Sequence, residues 1–201
     1  MEIKSFILSV YRSNCYIVYH NKKAIIIDPG EESQKVVDFI KANDLKVILI
    51  YATHGHVDHV AGIKSLKEIF NAKTYGPKKD EIWFTNQNYN RLGYPIPIDT
   101  YISEGDQIII DDIIFDIYDT PGHSKGGTVL YNKDYNICFS GDTLFHQTIG
   151  RTDLPFGDFD EIKASIHKMY ALFPDDTKVY PGHGISTTIG FEKLHNQYVK
   201  K

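Results

Sequence analysis

An uninterrupted apolar stretch at 47–53, Val-Ile-Leu-Ile-Tyr-Ala-Thr, runs directly into His54-Gly55-His56-Val57-Asp58-His59. A stretch with no polar alternation reads as a strand buried on both faces, so the chain must place a layer on either side of it. The histidines begin where that strand stops. In an extended turn, His54 and His56 project to the same side. Val60, Ile63, Leu66 and Phe70 mark one face of a helix that starts near Asp58. Asp58 and His59 then sit in its first turn and point away from the first pair. One short loop can thus offer two ligands to each of two adjacent cations. The plainer alternative makes Asp58 an ordinary helix N-cap and the histidines polar loop residues. Three histidines and an aspartate within six residues are too concentrated for that alternative to be preferred.

Three further residues extend the pattern. His123, Asp142 and His183 follow at long intervals, each beside a glycine in a turn-like setting. Imidazole nitrogen with carboxylate oxygen suits Zn(II), and also Fe(II) or Mn(II).

Bulk properties exclude several function classes. The length of 201 residues fits one domain, 1–201, with a sizeable core. The formal net charge of −4 offers no general affinity for nucleic acid or an anionic membrane. Lys22-Lys23, Lys78-Lys79 and Lys200-Lys201 are scattered surface pairs. No segment approaches a membrane span, and the N-terminus does not read as a signal peptide. Two cysteines, Cys15 and Cys138, lie amid apolar residues and read as buried free thiols in a reducing cytoplasm.

The first part of the chain reads as strands at Phe6–Val10, Cys15–Tyr19 and Ala24–Asp28, then a helix burying Val36, Val37 and Ile40. A strand near Lys73–Tyr75 and a helix around Lys79–Phe84 follow, and 86–101 reads as a long loop. Strands are predicted at Gln107–Ile110, Ile113–Tyr118, Thr128–Tyr131 and Ile137–Ser140. A helix then buries Phe159, Ile162, Ile166, Met169 and Phe173, and a strand at Lys178–Tyr180 leads into His183. Strands with helices in both halves predict an α/β architecture of two sheets packed face to face with helices outside.

Several motifs together resemble one family. Asp28-Pro29-Gly30, the 53–59 cluster, Thr120-Pro121-Gly122-His123-Ser124, Ser140-Gly141-Asp142-Thr143-Leu144-Phe145, Gly150-Arg151-Thr152-Asp153 and Pro181-Gly182-His183-Gly184 occur in this order. In that order they resemble the metallo-β-lactamase superfamily, in particular its glyoxalase II-like branch of hydroxyacylglutathione hydrolases and their shorter bacterial relatives. The resemblance implies a four-layer αββα sandwich. It implies that His54, His56 and His123 hold one divalent metal, that Asp58, His59 and His183 hold a second, and that Asp142 bridges them. Zinc is the first expectation for the pair, with iron or manganese as alternatives.

The implied activity is hydrolysis of a thioester of a low-molecular-weight thiol, such as S-lactoylglutathione, by a metal-bridging hydroxide. Asp58 and Asp142 are the implied catalytic carboxylates, Asp58 orienting the hydroxide or shuttling its proton. Arg151 matches a basic position that lies near the substrate thiol's carboxylate in glyoxalase II-like proteins, and guanidinium can grip a carboxylate through two hydrogen bonds. Full-length glyoxalase II enzymes carry a C-terminal helical domain, whereas eighteen residues follow His183 here. Recognition of the small-molecule thioester is therefore expected to fall on Arg151 and the 86–101 loop, where Tyr89 and Tyr94 stand out. The thiol carrier could be glutathione, bacillithiol, coenzyme A or another thiol. Alternatives in the same superfamily are a mononuclear-iron persulfide dioxygenase and a lactonase.

Supporting residues are read as follows. Asp28 is either a turn residue or a carboxylate that holds a ligand histidine. Pro121-Gly122 and Pro181-Gly182 read as stiff turns, and Gly126-Gly127 as a place for close approach of backbone to the metals. His20, His146, His167 and His195 lack ligand spacing, with His146 the nearest to Asp142 in sequence.

Overall fold

The computed structural model describes residues 1–200, so Lys201 of the Lys200-Lys201 pair lies outside the described residues. The first half forms β1 (Glu2–Leu8), β2 (Ser13–His20), β3 (Lys23–Ile27), α1 (Gln34–Ala42), β4 (Lys46–Tyr51), α2 (Val57–Val60), α3 (Ile63–Phe70) and β5 (Lys73–Pro77). A 3-10 turn at Lys78–Asp80 leads into α4 (Glu81–Thr85), α5 (Gln87–Asn90) and β6 (Thr100–Ile102). The second half adds β7 (Gln107–Ile110), β8 (Ile113–Asp119), β9 (Thr128–Asn132), β10 (Ile137–Gly141), β11 (Leu144–Phe145) and β12 (Thr148–Ile149). It closes with α6 (Phe159–Leu172), β13 (Lys178–Pro181), β14 (Thr187–Thr188) and α7 (Ile189–His195).

Strands β1 to β6 form one six-stranded sheet in sequential order, and a second six-stranded sheet runs β14-β13-β10-β9-β8-β7. Within the first, β1–β2 and β2–β3 pair antiparallel, while β3–β4, β4–β5 and β5–β6 pair parallel. The parallel crossovers carry α1 and α3, which accounts for helices on the outer face.

The two-residue period of the strands sorts side chains into layers. Val18, Ile25, Ile27, Leu49 and Tyr51 face inward and meet Ile108, Ile110, Phe115, Leu130 and Phe139 of the other sheet. Their neighbours Ile17, Ile26 and Ile50 face outward against Val36, Val37 and Ile40 of α1 and Ile63 and Leu66 of α3. On the far side, Val129, Cys138 and Val179 pack against Ile162, Ile166 and Met169 of α6 and Ile189 of α7. Helix, sheet, sheet and helix therefore stack as the predicted αββα sandwich. Each fully buried Ile, Leu or Val contributes roughly 1.5–3 kcal/mol by leaving water.

Four local expectations are corrected. The first strand begins at Glu2 and stops at Leu8, because Ser9 and Arg12 turn the chain at φ 59° and 58°. The helix expected from Asp58 onward is broken between α2 and α3 at Gly62. There the backbone N–H bonds Pro29 O at 2.8 Å, and a Cβ would lie 2.2 Å from Glu31 O. The 86–101 loop holds a helical turn, α5, started by the Asn86 side chain accepting from the Asn88 N–H at 3.0 Å, and its end belongs to β6. Phe159 is 46% exposed, so the buried face of α6 begins at Ile162.

Candidate metal centre

The centre lies where β3, β4 and β10, and β13 beside β10, give way to loops. The turn after β3 places Asp28 in a left-handed conformation, φ 52°. Its buried carboxylate accepts from the Thr53 backbone N–H and the Thr53 hydroxyl, both at 2.7 Å, and faces His59 Nδ1 at 3.0 Å. Asp28 thus pins the exit of β4 and orients a ligand-type histidine, so its side chain holds a neighbour rather than its own turn.

Three groups of side chains present ligand atoms within 4.8 Å of one another: His54, His56 and His123; Asp58, His59 and His183; and Asp28, His54 and His59. The first two are the triads that the motifs imply. In the third, both Asp28 oxygens are already engaged with Thr53 and His59. Asp142 reaches both triads. Its Oδ1 lies 3.4 Å from His59 Nε2, and its Oδ2 lies 3.4 Å from His123 Nε2 and 3.5 Å from His183 Nε2.

The residues fit a pair of cations. His54 Nε2 and Asp142 Oδ1 are buried with no hydrogen-bond partner, an arrangement that proteins otherwise avoid. His56 Nδ1 and His123 Nε2 sit 2.8 Å apart, and His59 Nε2 and His183 Nε2 3.3 Å apart. Nitrogens this crowded are naturally reconciled by a shared metal. The distal atoms of several rings are fixed as well. His123 Nδ1 donates to the Arg151 carbonyl at 2.7 Å, which leaves its Nε2 lone pair free, and His54 Nδ1 lies 3.1 Å from the Thr53 hydroxyl.

Electrostatics separate the two triads in the metal-free chain. Burial, reinforced by neighbouring histidines, holds His54 well below its ordinary pKa and brings His56 to about 3. Burial also opposes charge on His59, but the Asp142 and Asp28 carboxylates outweigh it and hold the ring well above its ordinary value. Asp142 shows the converse. Burial raises its pKa, yet His59, His123 and His54 together keep it well below the ordinary carboxylate range. Asp58 is lowered and His183 raised, in each case against burial, through their contact at 3.2 Å.

Buried contacts hold the loops together. Gly55 N–H, Gly126 N–H and the Ser124 hydroxyl donate to Asp80 at 2.8, 2.6 and 2.7 Å. Asp80 therefore clamps the His54–His56 loop to the segment after His123, although burial pushes its own pKa up. Gly126 serves this clamp, and Gly127 packs against Thr120 O, so the expected close approach of these glycines is to Asp80 and Thr120. Asn14 Nδ2 donates to Pro181 O and Gly184 O, both at 2.9 Å, and Tyr16 OH donates to Pro181 O at 2.7 Å, which seats the turn carrying His183 on β2. At Gly182 a Cβ would lie 2.1 Å from Asp142 Oδ1 and 2.8 Å from His59 Cε1, so only glycine fits there.

A cavity of about 620 Å³ opens over both triads, with Asp58, Asp142 and His183 in its floor. Trp83, Tyr89, Phe145 and Leu154 make much of its wall apolar. The Trp83 ring lies edge-on to His56 at 4.5 Å and to Tyr89 at 5.3 Å. Arg151 is on the wall, but its exposed guanidinium is bonded through Nε and Nη2 to both Asp153 oxygens at 2.7 Å. Tyr94 lies elsewhere, with Lys64 Nζ over its ring at 4.8 Å.

The remaining histidines stay outside the centre. His146 stacks on Phe191 and lies 3.7 Å from buried Glu192, His20 lies 3.4 Å from Asp112, and His167 and His195 pack beside Tyr170 and Phe191. Cys15 and Cys138 are free and buried, and burial pushes both thiols up, so neither offers a ready thiolate. Among the described residues no helix is long and apolar enough to cross a membrane.

Comparison with known proteins agrees with this geometry. Residues 8–183 match the sequence profile described as the Metallo-beta-lactamase superfamily. A protein of Haemophilus influenzae named hydroxyacylglutathione hydrolase GloC is 33% identical, over 99% of this chain and 98% of its own. The crystal structure of BLEG-1 B3 metallo-beta-lactamase superposes with a TM-score of 0.92 at 33% identity, covering 100% of both chains. The crystal structure of TTHA1623 in a di-iron-bound form superposes with a TM-score of 0.86 at 30% identity, covering 98% of this chain and 100% of that one.

Proposed function

The chain belongs to the metallo-β-lactamase superfamily, and we propose that within it this metallohydrolase cleaves thioesters of a low-molecular-weight thiol at a binuclear centre. The observation that carries the binuclear reading is the pair of triads, His54/His56/His123 and Asp58/His59/His183, with Asp142 within 3.5 Å of members of both. Two divalent cations, when bound there, supply Lewis acidity for the acyl oxygen and make a hydrolytic nucleophile available near neutral pH. Zinc is our first choice, with iron or manganese compatible because His/Asp donors discriminate weakly. The di-iron form of TTHA1623 keeps iron in view.

The chain's own groups supply the rest. Asp58 stays ionised beside His183 and lines the cavity, so its carboxylate can accept a proton from the attacking water. Asp142 keeps its negative charge between the triads and holds the two ligand sets in register. Trp83, Tyr89, Phe145 and Leu154 give the acyl group an apolar wall and displace water. A thiolate with a pKa of about 8.5 departs without a strong general acid, which suits a site whose polar residues are committed to ligand positions. Support for the thioester comes from this leaving-group chemistry and from the likeness to the Haemophilus hydroxyacylglutathione hydrolase. The same reading puts the protein in the reducing cytoplasm, in keeping with its two free cysteines.

A second reading, β-lactam hydrolysis, is favoured by the likeness to BLEG-1. The test of the proposal is elemental analysis of protein purified without added metal, paired with an S-lactoylglutathione assay. About two metals per chain and steady turnover are expected. One iron, no second metal and no hydrolysis would overturn it.

A further inference from the structure

Two arginines line the cavity, and they are in opposite states. The Arg151 guanidinium is saturated by Asp153. Arg91 makes no ion pair and no side-chain hydrogen bond among the described residues. It sits at the C-terminal end of α5, where its backbone N–H bonds Gln87 O at 3.0 Å. Its φ of 59° is left-handed, a conformation that helix ends ordinarily give to glycine or asparagine. Left-handed turns are common in this chain, so what sets Arg91 apart is an exposed, unpaired guanidinium on the cavity wall. Asn88 of the same helical turn also lines the wall, so α5 brings a polar patch to an otherwise largely apolar face. The carboxylates in the cavity floor, Asp58 and Asp142, are already committed to histidines. In a chain of net charge −4, an unpaired guanidinium at this place is a local attractor for an anion.

We infer that Arg91 is the anion anchor of the cavity, taking a carboxylate or phosphate of the substrate's thiol carrier and so selecting charged over neutral thioesters. The identity of the reacting group rests on the thioester reading above. A short hydroxyacyl group carries no anion of its own, so under that reading the anion belongs to the thiol side. A guanidinium grips either oxyanion through two parallel N–H donors, which a lysine cannot reproduce. Arg91 is a specificity residue in this account and contributes nothing to the chemistry at the metals.

The test uses metal-replete wild type, R91A, R91K and R151A. The substrates are S-lactoylglutathione, with carboxylates; acetyl-coenzyme A, with phosphates; and S-acetyl-N-acetylcysteamine, which is neutral. R91A should lower kcat/KM for a charged substrate by roughly 10-fold to 100-fold, chiefly through KM, and leave the neutral thioester within about twofold. R91K should recover part of the loss, and the charged substrate that suffers more identifies the oxyanion. Equal losses on charged and neutral substrates, or a selective loss confined to R151A, would overturn the assignment. A second readout does not depend on turnover. Trp83 is the only tryptophan and lines the cavity, so its fluorescence reports occupancy by S-methylglutathione or S-methyl-coenzyme A, thioethers that have neither a thioester to cleave nor a free thiol. Binding that weakens in R91A, in a wild type that cleaves none of the thioesters, would keep the anchor and remove the thioester reading. Absence of binding, or binding indifferent to Arg91, would remove the anchor.

Discussion

Replacing Asp80 tests whether the centre is held from behind. Asp80 belongs to neither triad that the motifs imply. It is fully buried and accepts three hydrogen bonds, from Gly55 N–H, Gly126 N–H and the Ser124 hydroxyl. Asp80→Ala leaves those donors without an acceptor. The serine hydroxyl can rotate to another partner, but the two backbone N–H groups cannot. At about 1–3 kcal/mol for each unsatisfied buried donor, the loss is about 2–6 kcal/mol. Against a typical total of about 5–15 kcal/mol, the domain should remain folded but weakened. For a chain of this size that corresponds to a fall in Tm of roughly 5–20 °C. The clamp joins the His54–His56 loop to the His123 segment, so metal affinity at that triad should fall by about 10–100-fold. Asp80→Asn should lie between, since its amide keeps one acceptor oxygen and turns a donor toward another donor. Thermal unfolding and metal titration of the three proteins measure both effects. D80A with wild-type Tm and two tightly held metals would refute the clamp.

Three other perturbations address the centre directly. Asp142→Ala removes the carboxylate that lies within 3.5 Å of His59, His123 and His183, leaving two cations with less charge between them. Metal content well below two per chain and little activity are expected, whereas a variant with full metal and near-normal turnover would sink the bridging role. Chelation should lower Tm and abolish hydrolysis, and added Zn, Fe or Mn should restore both, since only the folded chain assembles the two triads. Metal should also leave more readily as pH falls, because imidazole must be neutral to ligate; loss independent of pH would argue against histidine ligation.

The parts of this fold that were legible in the sequence are those written in local pattern. Ile17, Val18, Ile25, Ile26 and Ile27 report strands buried on both faces, and His54, His56, Asp58 and His59 stand where such a strand ends. The clamp was not legible. Asp80 bonds Gly55 and Gly126 across separations of 25 and 46 residues, and a single aspartate beside two lysines reads as surface. Asn14 and Tyr16, which seat the His183 turn, reach Pro181 across more than 160 residues from within a strand. Trp83 is apolar and reads as core, although it forms the wall between His56 and Tyr89. Phe159 fits the helical period but lies in the first turn of α6, where Lys163 Nζ covers the ring at 5.5 Å and solvent reaches it. The short pairings of β11 with β12 and of β13 with β14 have too few residues to show a period.

The central claim is that this cavity serves a leaving thiolate. A hydrolytic nucleophile at a binuclear centre could attack either an acyl or a phosphoryl bond, so selectivity must come from the leaving group and the wall. A lactam amine or a ribose alkoxide needs a proton on departure, and a thiolate does not. The direct measurement is kcat/KM for S-lactoylglutathione, a β-lactam and a phosphodiester with one metal-replete preparation of the wild-type chain. The account predicts that the thioester ranks first. A β-lactam or phosphodiester in first place would contradict it.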